Sequence, residues 1–175
     1  MKKGIPVFTV EQEPEVLKVL EDAAAEAETT LKVVGRDIEF SYRFEATREL
    51  GPHTRVCLTT PNETYDHLPV PLKGEHQALN CGLSLALLDQ LCEKRFQVSE
   101  EALIQGLSST NLPGRMEQVW NEPRILLDGA HNASSIFALI KSIGAHVPYD
   151  SLVMIFGCAE DKDVSGMLEL SLIHI

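Results

Sequence analysis

The 175-residue sequence predicts an α/β protein in two parts, and three observations carry that prediction. A β-branched run at 5–10, an apolar helical stripe after Glu13-Pro14 and a second run at 31–34 read as strand, helix and strand. Further strand patterns at 38–44, 55–60 and 65–72 point to a mixed sheet with helices. Beyond Leu112 the pattern changes to strand (124–127), helix (134–143), strand (152–156) and a helix from Asp163. That alternation predicts a parallel sheet with right-handed crossovers, so a domain boundary is expected near residue 112.

Each element has a local cause. Pro14 is tolerated in the first turn of a helix, and Val16, Leu17, Val19, Leu20, Ala23, Ala24 and Ala27 then recur down one side. Ile38, Phe40, Tyr42 and Phe44 alternate as a strand requires. Pro61-Asn62-Glu63-Thr64 has turn chemistry between the next two strands. Pro69 and Pro71 cannot donate to a ladder, so the 65–72 strand belongs at an edge or an end. An apolar helix follows Lys73-Gly74-Glu75 and runs from His76 to Cys92. The next starts at Ser99, whose hydroxyl can cap it, with Glu100 and Glu101 favouring its dipole, and it runs out at 106–109. Leu112-Pro113-Gly114 reads as a linker.

The bulk composition narrows the function. Hydrophobic residues make up 44% and charged residues 23%, as in globular proteins. Acidic side chains outnumber basic ones 26 to 15, for a net charge of −11. No basic block stands against that field, so a nucleic-acid partner is not expected. The apolar runs fall short of the ~20 residues of a membrane span, and no signal peptide is evident, so the expected location is the cytoplasm. Cys57, Cys81, Cys92 and Cys158 lack metal-ligand spacing and read as reduced core thiols.

The chemistry concentrates in four places. Arg115 follows Pro113-Gly114 at the domain junction, where a guanidinium can grip a phosphate. Asp128, His131 and Asn132 stand just past the strand 124–127, where ligands are met in open α/β sheets. Capping of the following helix by Asp128 and Asn132 is the competing reading. Asn80 lies one helical turn after His76 on an otherwise apolar helix, as either a solvated residue or a nucleotide contact. Asp161-Lys162-Asp163 follows the 152–156 strand and is expected on the same edge as Asp128.

Taken in order, Lys3-Gly4-Ile5-Pro6-Val7, Leu68-Pro69-Val70-Pro71-Leu72, Gly74-Glu75-His76-Gln77 with Asn80, Leu112–Glu117, Leu127–Asn132 and Asp161-Lys162-Asp163 resemble the folylpolyglutamate synthase/dihydrofolate synthase family of Mur-ligase-like, ATP-dependent amide ligases. The resemblance covers about residues 1–169. It implies that residues 1–112 are the later part of a P-loop-type central ATPase domain and 113–169 the start of a Rossmann-like C-terminal domain. It implies ATP and Mg²⁺ as cofactors, with Asn80 near the base, Arg115 on the phosphates and Asp128 on the ribose. His131 is the implied catalytic residue on the glutamate and γ-phosphate side, and Asn132, Asp161 and Lys162 are substrate-side candidates. The implied reaction activates a folate or dihydropteroate carboxylate as an acyl phosphate, which the amino group of L-glutamate attacks.

The family's Gly-rich phosphate loop, magnesium ligands and carbamylated lysine are not found here, so no metal ligand is expected within this sequence and the chain is expected to be an inactive piece of a longer enzyme. Ala133 stands where the family often has proline. The final six residues, 170–175, match the translation of a sequencing-library adapter and are expected to be non-native. Two alternatives remain: a UDP-muramyl peptide ligase of the same superfamily, disfavoured by His76-Gln77 with Gly129 and Asn132, and a non-catalytic nucleotide-binding module.

Overall fold

A computed structural model describes residues 1–92 and 96–172, and the chain divides into two compact units. The first comprises Met1–Pro71 and Gln77–Ser109; the second comprises Leu72–His76 and the chain from Thr110 onward.

In the first unit, β1 (Val7–Val10) and β2 (Leu31–Val34) pair in parallel, Val7 opposite Leu31 and Val10 opposite Val34. The helix α1 (Pro14–Glu26) connects them, with proline in its first turn and Ala24 buried. A separate antiparallel sheet follows, in the order β3 (Glu39–Thr47), β4 (Gly51–Thr59), β5 (Thr64–Val70). The proline-bearing β5 is an edge strand, because Pro69 opposite Arg55 has no N–H to offer a further neighbour. Val56, Leu58, Leu68 and Val70 are buried within this sheet, and Phe40, Tyr42 and Phe44 stack along β3 at centroid separations of 6.1 and 5.9 Å.

The helix α2 (Glu75–Cys92) buries Ala78, Cys81, Leu85 and Ala86. Gly82 sets its approach to the sheet: a Cβ there would lie 2.5 Å from Phe40 Cε2. The Ser99 hydroxyl caps α3 (Glu100–Ser109) by accepting from the Ala102 N–H at 3.2 Å. Among the described residues no helix is long and apolar enough to cross a membrane.

The second unit departs from the expected parallel sheet. β6 (Glu117–Trp120) and β7 (Ile125–Leu127) form an antiparallel hairpin. β6 escapes sequence reading because its residues are exposed or half-buried without alternation, so no apolar period marks it. The helices α4 (Ala133–His146) and α5 (Val164–Leu172) pack together, Ile136 and Ile140 against Met167. Ala130, Phe156, Cys158 and Leu170 complete that cluster.

Residues 152–156 do not form the expected strand. They keep a strand's alternation, with Phe156 on the cluster and Val153 and Ile155 outward at 87% and 98% exposure. A β-branched run becomes a strand only when a neighbour takes up its ladder bonds, and among the described residues no strand pairs with 152–156. Of the expected core thiols only Cys81 is buried; Cys57, Cys92 and Cys158 are half-buried. Of the six residues expected to be non-native, Leu170, Ser171 and Leu172 continue α5, while 173–175 lie outside the described residues.

Candidate functional site

The expected linker at 112–114 leads into a tightly tied turn. Gly114 and Met116 have φ of +67° and +50°, the left-handed region that costs little for glycine and more for methionine. Hydrogen bonds hold this shape, among them the Arg115 backbone N–H donating to the Leu112 carbonyl at 3.2 Å. The Gly114 N–H donates to Glu117 Oε2 at 2.7 Å, the Gly129 N–H donates to the Gly114 carbonyl at 2.8 Å, and the Met116 N–H donates to Asp128 Oδ2 at 2.9 Å. Met116 is itself buried, which anchors the turn.

Asp128 therefore does not cap α4. Its second oxygen, Oδ1, accepts from the Ala130 N–H at 2.9 Å, so one carboxylate fastens the turn at 114–116 to the end of β7. Each oxygen retains a lone pair beyond those two bonds. Replacing Asp128 with alanine strands both amides, and the expected cost is about 1–3 kcal/mol, read as a drop in denaturant midpoint of the second unit's transition. Asparagine, which keeps one acceptor, is expected to lose less.

Arg115 is carried on this turn. Its Nη1 would lie 3.2 Å from a Cβ built on Gly129, so the missing side chain at 129 leaves room for the guanidinium. The side chain is exposed, and among the described residues no carboxylate pairs with it. It is open to an anion.

Asn132 is the N-cap of α4: its Oδ1 accepts from the Ser135 N–H at 2.8 Å, and Ser135 Oγ accepts from the Asn132 N–H at 3.0 Å. His131 is exposed, with its own N–H on Ser135 Oγ and its ring Nδ1 at 2.9 Å from the Gly129 carbonyl. A carbonyl only accepts, so that bond places the proton of neutral imidazole on Nδ1 and leaves Nε2 as an acceptor.

Asp161 and Lys162 pair with each other at 3.0 Å, and Asp163 Oδ1 accepts from the Gly166 N–H at 3.0 Å, opening α5. The core cluster that holds Ala130, beside His131, also holds Phe156 and Cys158, just before this loop. Arg115, Asp128, His131, Asn132, Asp161 and Lys162 thus all belong to the second unit. Asn80, exposed on α2 with its Nδ2 3.5 Å from Gln77 Oε1, belongs to the first.

The structure adds His76 to this group. Gly74, at φ +103°, turns the chain so tightly that a Cβ there would meet Ser142 Oγ at 2.6 Å and His76 Cε1 at 2.8 Å. Burial pushes the His76 imidazole below its ordinary 6.5; the charge of Asp128 opposes that shift and the charge of Arg115 adds to it. His76 belongs to the same unit as the turn, and the charges of both residues act on its ring. The Gly-Glu-His spacing could have signalled it, since a glycine two residues ahead of a histidine can bring the ring back over the chain. Burial, reinforced by Lys73, also lowers His146.

For such histidines the unfolded chain binds protons that the folded one refuses. Stability is therefore full above about pH 6.5 and declines as the pH falls through 6.5 toward the depressed folded values. Thermal melts are expected to show that decline, and His76→Gln is expected to flatten it.

No group of three or more His, Cys, Asp or Glu able to hold a metal occurs among the described residues. Residues 114–171 match the family described as Mur ligase, glutamate ligase domain. The dihydrofolate synthase/folylpolyglutamate synthase of Bacillus subtilis is 28% identical over 170 residues, covering 97% of this chain and 39% of that protein. A probable bifunctional folylpolyglutamate synthase/dihydropteroate synthase of Halobacterium salinarum is 31% identical over 154 residues, covering 87% of this chain and 18% of its own length. The solved structure of Mycobacterium tuberculosis folylpolyglutamate synthase complexed with ADP superposes with a TM-score of 0.81 at 26% identity, covering 94% of this chain and 36% of that one. The chain thus spans well under half the length of these relatives. Residues 114–171 thus match the glutamate ligase domain of Mur ligases, and the relatives to which the chain is similar are folylpolyglutamate and dihydrofolate synthases.

Proposed function

We propose that this chain supplies part of the site of an ATP-dependent ligase that joins L-glutamate to a folate or dihydropteroate carboxylate through an acyl phosphate. The observation that carries the reading is Arg115: a guanidinium unpaired among the described residues, on a turn that Asp128 ties to the end of β7. A guanidinium so placed offers a planar fork to phosphate oxygens without the energy of breaking an existing ion pair. The ADP complex of the Mycobacterium relative supports a nucleotide as the anion.

In this reading the lone pairs left on Asp128 accept from ribose hydroxyls, and Asn80 meets the base. His131 presents Nε2 to the glutamate side, where it can take a proton from the glutamate ammonium, so that the free amine attacks the acyl phosphate and phosphate departs. Asn132 holds the backbone of His131 in place through Ser135, and Asp161 and Lys162 face the substrates. Mg²⁺ belongs to the proposed reaction as a charge-neutralising ion, and the described residues provide no ligand set for it. The proposed location is the cytoplasm, consistent with four free cysteines.

The test is a chimera in which residues 1–169 replace the matching segment of the Bacillus relative. Glutamate-dependent ADP release with dihydropteroate or a folate as acceptor is the expected result. A folded chimera that releases ADP only with UDP-muramyl acceptors, or with none, would overturn the reading.

A further inference from the structure

Cys57 lies on β4 where its ladder with β5 goes out of step. Val56 pairs with Leu68 and Leu58 with Tyr65, so two residues, Asp66 and His67, face the single Cys57. A bulge of this kind re-aims a side chain. His67 sits at φ +52°, and the result is that two of its groups converge on one sulfur. Its backbone N–H donates to Cys57 Sγ at 3.3 Å, and its ring Nδ1 lies 3.4 Å from the same atom.

The pair opens onto a recess of about 160 Å³ lined also by Ser41, Tyr42, Arg43 and Arg55. Glu45 pairs with both arginines, and His53 Nε2 is 3.7 Å from it, so the two guanidiniums outweigh the one carboxylate and the rim is positive. None of these residues belongs to the ligase set described above.

We propose that Cys57 is a nucleophilic thiol that small anionic disulfides modify, with His67 as its base and Arg43 and Arg55 as the anion-selecting rim. The Cys57 thiol proton passes to His67 Nδ1. Sγ then attacks one sulfur of the disulfide, the S–S bond breaks, and a mixed disulfide forms on Cys57. The departing thiolate takes the proton back from the imidazolium. Cys57 is oxidised and the incoming disulfide is reduced, so no further oxidant is needed. The His67 amide donates to the same sulfur through which the attack runs and so holds it in place against the imidazole.

The protein carries its own controls. Cys81 is buried, which pushes its thiol up to about 11, and Cys92 and Cys158 are half-buried thiols. The experiment exposes the whole chain to glutathione disulfide, or to neutral 2-hydroxyethyl disulfide, and follows each cysteine by peptide mass spectrometry. Cys57 is expected to react about tenfold faster than Cys92 and Cys158 with glutathione disulfide, with a smaller lead for the neutral probe. His67→Asn tolerates the same backbone conformation and is expected to abolish most of that lead with an unchanged melting temperature. Should that variant fail to fold, Arg43→Gln, at an exposed position, is expected to slow the glutathione reaction alone. The proposal fails if Cys57 reacts no faster than Cys92 and Cys158. It fails equally if the lead survives His67→Asn, or if Arg43→Gln slows both probes alike.

Discussion

Arg115→Ala, introduced into the chimeric ligase, is expected to lower kcat/KM for ATP by roughly 100- to 1,000-fold, the effect of removing one pre-positioned donor from a transferring phosphoryl group. The fold should survive. The side chain is exposed and, among the described residues, unpaired, and the turn beneath it is held by backbone groups with Glu117 and Asp128. Arg115→Lys keeps the charge but loses the fork, so it is expected to recover only part of the activity. Steady-state ADP release, with the melting temperature as a control on folding, separates these outcomes. A loss within about threefold for alanine would show that the guanidinium does not meet the phosphates.

Gly82→Val is expected to destabilise the first unit by about 3 kcal/mol, the upper part of the range for overpacking a well-filled contact. A single methyl already comes within 2.5–2.9 Å of three atoms of the Phe40 ring, and valine adds two more carbons on a stiff, β-branched centre. Phe40 is itself stacked on Tyr42, so the ring has little freedom to retreat. Gly82→Ala should cost less, because part of its strain is offset by about 1 kcal/mol of helix propensity. Phe40→Leu in the Gly82→Val background should restore much of the loss, read as coupling in a double-mutant cycle of urea midpoints. Additive losses would mean that the helix and the ring do not share that space.

The elements whose sequence pattern matches their own packing were legible beforehand. Pro14, the Phe40–Tyr42–Phe44 alternation, Pro69 on an edge and the Ser99 cap each act through neighbours a few residues away. The second unit was harder because its outcome depends on partners distant along the chain. Residues 152–156 have strand composition but no ladder neighbour, and β6 has a neighbour but no apolar period. At the site, Arg115 and Asp128 could be paired from their order in the sequence, and the structure brings them together through the Met116 amide. The grip of Asp128 on two amides, in place of a helix cap, was not legible, since the two readings use the same residue in the same place. His76, quoted only within the Gly74–Gln77 motif, was not singled out as a site residue, and the Cys57–His67 pair was missed, for a related reason. One depends on a positive φ at Gly74 and the other on a register slip, and neither leaves a periodic trace.

Asp128 serves as a rivet, and on the proposed role it is also a recognition element, which limits how the protein can evolve. A lineage drifting toward another sugar or nucleotide could not alter position 128 without loosening the loop that presents Arg115. On the same proposal, tolerance for new specificity is displaced outward, to side chains such as Asn80, Asp161 and Lys162, which hold no backbone amide in place among the described residues.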